Sequence, residues 1–183
     1  GMSIGDGAAV FVLETEEAAR ARGAPIVCRL AGYGTSADAY DPIRPDPTCA
    51  TLAMRRAIED SGLPPEAIDY VNAHGTATTL NDPTEAEALG RIFGERLAEI
   101  PVSSTKPIHG HGLGAAGALE LVCTIMALRE QIAPPTINFL EPDPKCPVDC
   151  VPNEARKTAI RTAMSNSFAF GGINASLIVQ AAD

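Results

Sequence analysis

The chain has 183 residues and a formal net charge of −9, with 45% apolar and 20% charged residues. This length and composition predict one ordinary soluble globular domain over residues 1–183. The negative charge and the scattered basic residues argue against a nucleic-acid or membrane-surface partner. The longest apolar-rich stretch, Leu113 to Leu128, contains Glu120 and is too short to span a bilayer. The first residues lack the basic and apolar regions of a signal peptide.

The five cysteines are irregularly spaced and odd in number. This pattern favours reduced thiols and therefore a cytoplasmic location. Cys146 and Cys150 are the only close pair, and their C-x3-C spacing could bind a metal. No second pair completes such a site, so we expect neither a metal nor another cofactor.

Strand-like and helix-like segments alternate in the first third of the chain. Ala8 to Leu13 predicts a buried strand, and a helix is expected from Thr15 to Arg22. A second strand is expected from Ile26 to Gly34. The proline-rich segment 41–47 is a predicted surface loop, followed by a helix from an N-cap at Thr48 to Asp60.

The alternation continues to the end of the chain. The later predicted elements are a strand at Ile68 to Val71, a helix at Asp82 to Phe93 with Glu85 in a capping-box-like position, an extended segment at Pro101 to Ser104, a long helix at Leu113 to Arg129, and strands at Thr162 to Ser167 and Asn174 to Gln180 around a tight turn at Phe168 to Gly172. This order predicts an α/β fold with a mixed five-stranded sheet and helices on both faces.

Three glycine-bordered segments combine buried strand ends with reactive or hydrogen-bonding side chains. They are Asn72 to Thr78, Lys106 to Gly117, and Asn166 to Asn174. In an open α/β sheet such loops gather at the carboxyl ends of strands, where ligands bind. We therefore expect the three segments to form one site.

The order and spacing of these motifs resemble the carboxyl-terminal half of a β-ketoacyl-acyl-carrier-protein synthase with a thiolase fold. Ser103 to Lys106 and Pro134 to Asn138 also stand at the positions expected for that family. The resemblance extends from Gly5 to the last strand. It implies an acyltransferase that performs a decarboxylating Claisen condensation in fatty-acid or polyketide synthesis, using malonyl groups on acyl carrier protein and an acyl group on a cysteine.

The resemblance also implies roles for the residues of the first two motifs. His74 and His111 would donate N–H hydrogen bonds to the malonyl thioester oxygen as negative charge develops on it. The long helix after His111 is expected to keep that imidazole neutral through its dipole. Thr76 and Thr78 would hold the phosphopantetheine arm.

Four further site residues follow from the resemblance. Lys106 matches a buried lysine of the family, and we expect Glu85 to be its partner. Phe170 matches a gating phenylalanine whose backbone N–H contributes to the acyl oxyanion hole, and Gly171 permits its turn.

The chain departs from the family pattern at three positions of these motifs. Ala169 stands where Gly is frequent, and it is expected to stiffen or reshape the gate. His109 and Ile173 stand where Thr is common, and His109 is either a supporting or a surface residue. These departures bear on acyl-chain preference, not on the class of reaction.

The nucleophilic cysteine of the family belongs to its amino-terminal half, and none of the five cysteines here has that context. We therefore expect the isolated chain to be inactive in condensation. Two hypotheses stay open. The chain is either the carboxyl-terminal part of a condensing enzyme that needs its amino-terminal half, or a non-catalytic module that dimerises or binds carrier protein. The twofold pseudosymmetry of thiolase folds leads us to expect a homodimer.

Overall fold

The computed structural model describes residues 1–182. Its main sheet has the strand order β1-β7-β6-β2-β3, and β4 pairs with β5 in a separate ribbon. The strands are β1 (Cys28–Ala37), β2 (Tyr70–Asn72), β3 (Val102–Ser103), β4 (Ile132–Ala133), β5 (Arg156–Lys157), β6 (Thr162–Ala169) and β7 (Ile173–Ala181). β7 runs antiparallel to β1 and β6, whereas β2 runs parallel to β6 and β3, so the sheet is mixed.

Five α-helices and three short 3-10 segments connect the strands within the described residues. The α-helices are α1 (Glu16–Ala21), α2 (Pro47–Ser61), α3 (Asn81–Phe93), α4 (Lys106–His109) and α5 (Ala116–Glu130), and the 3-10 segments are Pro65–Ala67, Gly94–Glu99 and Leu113–Ala115. Within residues 1–182, no helix is long and apolar enough to cross a membrane.

Helices cover both faces of the sheet and bury two apolar clusters. Met54 of α2 and Leu89 of α3 belong to the cluster that includes Val71 of β2. On the other side, Leu128 of α5 packs in a cluster with Val179 of β7. Burial of such side chains is the main favourable contribution to folding, at about 1.5–3 kcal/mol for each large one. The α/β class, the mixed five-stranded sheet and the two-sided helical cover are confirmed.

The parallel strands bring the predicted motifs to one edge of the sheet. Because β2, β3 and β6 point the same way, the residues after β2 and β3 emerge beside the end of β6. His74 follows β2, Lys106 follows β3, and Asn166 lies within β6. The segments that the sequence separates by up to about a hundred residues therefore meet, because the loops after parallel strands gather at the carboxyl edge of an open sheet.

The predicted buried strand at Ala8 to Leu13 is wrong. The segment forms no strand in the described structure, and Val10 and Val12 are 92% and 83% exposed. An extended segment becomes a strand only when a neighbour accepts its backbone hydrogen bonds. Within residues 1–182 no neighbouring strand pairs with this segment, although its apolar character is that of a buried strand.

The predicted N-cap of α2 is also wrong. The carboxylate of Asp46, not the hydroxyl of Thr48, caps the helix by accepting the N–H of Thr48 at 2.8 Å. Pro47 then occupies the first helical position, where its missing N–H costs nothing. The cap lies two residues earlier than the sequence indicated.

β1 extends three residues beyond the predicted end at Gly34, because residues 35–37 pair with β7. The glycines of β1 allow α2 to approach it closely. A Cβ at Gly34 would lie 2.1 Å from the carbonyl oxygen of Ala53, and one at Gly32 would lie 2.2 Å from that of Ala57. The helix backbone therefore rests directly on the strand. This contact holds α2 against the sheet.

Replacing Gly34 by Ala is expected to lower the free energy of unfolding by about 1–3 kcal/mol, because α2 must move away from β1. Gly90→Ala is the matched control, since a Cβ there meets no atom within 4 Å inside α3. That control should raise stability by about 0.5–1 kcal/mol through the unfolded chain. Urea denaturation of both variants tests the contact, and equal effects would contradict it.

Candidate active site

Two histidines face one another at this edge of the sheet. His74 directly follows β2 and is buried, with 7% of its surface exposed. Its ring lies 5.6 Å from that of His111, edge to face at 82°. The ring of Phe168 packs 5.7 Å from His74 on another side. The structure therefore brings together the two predicted hydrogen-bond donors.

The loop that carries His111 is fixed by the first residues of the chain. The N–H of His111 donates to the carbonyl oxygen of Ser3 at 2.8 Å, and its carbonyl accepts the N–H of Gly5 at 3.1 Å. The N–H of Leu113 donates to Nδ1 of His111 at 3.1 Å. Since Nδ1 accepts a hydrogen bond, the neutral imidazole carries its hydrogen on Nε2.

Lys106 lies behind the two histidines and is 5% exposed. Its ammonium contacts three acceptors, which are Nδ1 of His74 at 3.4 Å, the carbonyl oxygen of His74, and the carboxylate of Glu120. The predicted pairing of Lys106 with Glu85 is wrong, since the salt bridge is to Glu120 of α5. Glu120 lies 14 residues after Lys106 in the sequence and reaches it because α5 packs beneath the loop.

Glu85 has a different function from the predicted one. Its two carboxylate oxygens accept the backbone N–H groups of His74 and Gly75, each at 2.9 Å. The amide of Asn166 donates to the same carboxylate at 3.2 Å. Glu85 thus shapes the turn that holds His74 in place. It does not cap its own helix, which was the other expectation.

The surroundings of His74 keep its ring neutral. Burial, the Lys106 ammonium and His111 together lower the pKa of His74 from its ordinary 6.5 to about 2. Because Lys106 offers a hydrogen to Nδ1, the single N–H of His74 is on Nε2. Both histidines therefore present an Nε2–H group, which is the arrangement a developing oxyanion requires.

The lowered pKa predicts a pH dependence of stability. The unfolded chain binds a proton on His74 near pH 6.5 and the folded chain does not, so the free energy of unfolding should fall as the pH decreases below about 6.5. The expected slope from this group is up to about 1.4 kcal/mol per pH unit. Glu85 and Glu120 have the opposite slope above their ordinary 4.5, because burial raises the pKa of both carboxyls, that of Glu120 to about 7.

Comparison with His74→Asn separates the slope of His74 from that of the carboxyls, because the variant keeps both Glu85 and Glu120. Urea denaturation at pH 7.0, 6.0 and 5.0 should show a shallower decline for the variant than for the parent chain. Parallel declines would mean that His74 does not titrate on unfolding.

The pKa of His111 is also lowered, by burial first and then by the charges of Lys106 and His109. The predicted neutral state is thus supported, although by causes other than the helix dipole that the sequence indicated. A 3-10 segment, Leu113–Ala115, separates His111 from the first residue of α5. This distance weakens any effect of the dipole, which falls off within one turn.

Thr76 and Thr78 line a cavity beside the histidine loop. The cavity has a volume of about 980 Å³, and the segments 1–4, 136–143 and 106–110 also border it. The two threonine hydroxyls lie 2.9 Å apart and share one hydrogen bond. A shared hydroxyl pair at the wall of an open cavity can exchange that bond for one to a polar ligand.

Phe170 lies at the tip of the β6–β7 hairpin and is 77% exposed. The turn is closed by the N–H of Gly172 donating to the carbonyl of Ala169 at 3.1 Å, with Gly171 at φ 85°. Such a turn requires glycine at its third position. Ala169 ends β6 opposite Ile173 and has no positive φ, so alanine is accommodated at this position without strain.

The cysteines form no site in the described residues. All five are free, and no group of three or more metal-binding side chains occurs within residues 1–182. Burial raises the pKa of Cys123, and burial with nearby carboxylates raises that of Cys146 to about 11. A raised pKa disfavours the thiolate, so neither residue has the character of a nucleophile.

Comparison with known proteins identifies the family. The fold is that of thiolase-like α/β ketosynthases. Residues 27–140 match the family described as "Beta-ketoacyl synthase, C-terminal domain". The chain belongs to the β-ketoacyl synthase family and contains its carboxyl-terminal domain.

Individual relatives are similar over almost the whole chain. The 3-oxoacyl-[acyl-carrier-protein] synthase 2 of Coxiella burnetii is 49% identical over 181 residues, which is 98% of this chain and 44% of that protein. The ishigamide ketosynthase/chain length factor superposes with a TM-score of 0.96 at 41% identity, over 100% of this chain and 45% of that one.

A second solved structure is a type II polyketide synthase acyl-carrier protein in complex with its ketosynthase bound to the hexaketide. It matches with a TM-score of 0.90 at 35% identity, over 93% of this chain and 42% of that one. The chain therefore spans less than half the length of the relatives that it matches.

Proposed function

We propose that this chain is the carboxyl-terminal part of a β-ketoacyl-acyl-carrier-protein synthase, in which His74 and His111 promote decarboxylation of a malonyl thioester. The observation that carries the proposal is the pair of neutral imidazoles 5.6 Å apart, each with its hydrogen on Nε2. Loss of carbon dioxide places negative charge on the thioester oxygen. Two positioned N–H donors stabilise that charge more than they stabilise the uncharged substrate.

The groups behind the histidines support this assignment. The Lys106 ammonium and the Glu120 carboxylate form a buried pair. The ammonium therefore places a positive charge beside the site while it stays paired. This charge disfavours imidazolium at His74 and favours an anion beside the ring. Lys106 itself contacts Nδ1 of His74, which is the side away from the proposed thioester oxygen.

Condensation additionally needs a cysteine that carries the acyl group. We propose that an amino-terminal half, present in the longer relatives, supplies this nucleophile, since the five thiols here are free and burial raises the pKa of each, which disfavours the thiolate. The threonine-lined cavity would receive the phosphopantetheine arm of an acyl carrier protein, and Phe170 would gate the acyl pocket. We further propose that residues 1–183 form one domain and that the protein is cytoplasmic. The free thiols support this location.

Reconstitution tests the proposal directly. The chain is co-expressed with the amino-terminal part of the Coxiella synthase, and carbon dioxide release from malonyl-carrier protein is measured. We expect a stable pair that decarboxylates malonyl-carrier protein and extends an acyl group. The proposal fails if the pair assembles and is inert under conditions in which the intact Coxiella enzyme is active.

The second candidate is a non-catalytic dimerisation module. It is favoured by the exposed apolar side chains of the 8–13 segment and of α5, among them Val10, Val12, Val122 and Met126. Apolar surface of this kind is usually covered by a partner. Sedimentation velocity at rising concentration distinguishes the candidates. A dimer that Val12→Glu dissociates supports the module, and a monomer throughout removes it.

A further inference from the structure

The half-buried ring of His109 contacts both ends of the one-turn helix α4. Its Nε2 lies 3.1 Å from the hydroxyl of Thr105, and its Nδ1 lies 2.7 Å from the carbonyl oxygen of Gly110. Thr105 is the residue before Lys106, and Gly110 is the residue before His111. The imidazole of His109 therefore links the residue that precedes Lys106 to the residue that precedes His111.

The partners determine which nitrogen of His109 carries the hydrogen. A carbonyl oxygen only accepts, so Nδ1 must donate to Gly110. In the neutral ring Nε2 then accepts, and the hydroxyl of Thr105 donates to it. The amide of Asn72 in turn donates to that hydroxyl at 3.4 Å.

Gly110 is the position where such a support matters. It has φ 76° and ψ 178°, and a Cβ there would lie 2.8 Å from the backbone of Gly5. Only glycine fits, and glycine has the most backbone freedom to lose. The carbonyl of Gly110 is held by His109, while the N–H of the same peptide group, that of His111, is held by Ser3. Both sides of the peptide that leads into His111 are thereby fixed.

We propose that His109 is a positioning residue that fixes His111 relative to Lys106 by bridging Thr105 and Gly110. The significance for decarboxylation rests on the proposed function, but the bridge itself does not. A threonine, the residue that the family resemblance leads us to expect at this position, has one hydroxyl on a short side chain and does not span both ends. This chain thus has a support that threonine does not provide.

Side-chain NMR of the 183-residue chain tests the bridge without any activity measurement. The chain contains three histidines, so long-range ¹H–¹⁵N spectra resolve each ring. We expect His109 with its hydrogen on Nδ1 and the neighbouring His111 with its hydrogen on Nε2. His109 with its hydrogen on Nε2 would overturn the proposal, and this measurement needs no substitution.

Variants test the positioning effect. His109→Ala should shift the ring signals of His111 and speed amide exchange of His111, whereas His109→Asn, which keeps a donor near the Nδ1 position, should restore both. Ile108→Ala is the matched control, because Ile108 is exposed in the same helix and makes no side-chain hydrogen bond within the described residues. Unchanged His111 signals in a folded His109→Ala chain would refute positioning.

The reconstituted enzyme adds a kinetic measurement. There His109→Ala should lower kcat for decarboxylation by about tenfold to a hundredfold with little change in KM. The reason is that misplacing a catalytic group slows the chemical step rather than substrate binding. If the parent pair is inert, the proposed function fails while the NMR result still decides the bridge. If the parent pair is active and the variant equals it, positioning of His111 by His109 is wrong.

Discussion

Glu120→Ala is expected to lower the free energy of unfolding by about 3–5 kcal/mol, because it leaves the Lys106 ammonium buried without its carboxylate. Glu120 has no exposed surface, and Lys106 is 5% exposed. The two form the one buried ion pair recorded among the described residues, in contrast to exposed pairs such as that of Arg91 with Glu87. Exposed pairs contribute about 0–1 kcal/mol.

Two comparisons make this test specific. Glu130→Ala removes an exposed carboxylate at the end of the same helix and should change stability by about 0.5 kcal/mol or less. The double variant Lys106→Met, Glu120→Leu should recover most of the loss, since apolar replacement of both partners is often neutral. Urea denaturation followed by circular dichroism gives all four values. A cost for Glu120→Ala no larger than for Glu130→Ala would contradict the buried pair.

The partner of Lys106 shows what sequence reasoning could and could not reach. Motif resemblance predicted that the lysine is buried, and it is. It then selected Glu85 because Glu85 lies in a neighbouring motif. The better signal was already visible, since Glu120 is the single charged residue within the apolar stretch Leu113 to Leu128. A carboxylate in such a helix needs a buried cation.

The segment Ala8 to Leu13 shows a different limit. Its composition is that of a buried strand, yet Val10 and Val12 are exposed, and a strand also needs a neighbour for its backbone. Pattern alone does not reveal whether that neighbour lies within the same 182 described residues. The sheet itself was predictable, because β6 and β7 form a hairpin and β2 and β3 follow helix-length connections that favour parallel pairing.

His109 marks the limit for the site. Its two contacts depend on the exact turn of a four-residue helix, and no periodicity reports on that. The same is true of the three hydrogen bonds to Glu85, which join residues of three separate elements. The identity of site residues is therefore readable from motifs, whereas the hydrogen-bond network that orients them needs the folded backbone.

Replacing His74 or His111 by Ala is expected to lower kcat for malonyl decarboxylation in the reconstituted enzyme by about 10²–10³-fold each. Each change removes one Nε2–H donor from the developing oxyanion. Because both donors act on one oxygen, the double variant should lose less than the product of the single losses. Glu130→Ala, distant in sequence and exposed, serves as the control.

Two measurements distinguish hydrogen-bond donation from acid–base catalysis. They are the pH dependence of the decarboxylation rate and the effect of different substitutions of His74. A donor role requires neutral rings that keep their hydrogens, so the decarboxylation rate should not decline through the ordinary histidine range near pH 6.5, where the lowered pKa of both rings leaves them unprotonated. Glutamine at position 74 keeps an N–H near Nε2 and should retain more activity than alanine. Equal losses for His74→Gln and His74→Ala, together with a rate that falls with a pKa near 6.5, would instead assign His74 to proton transfer.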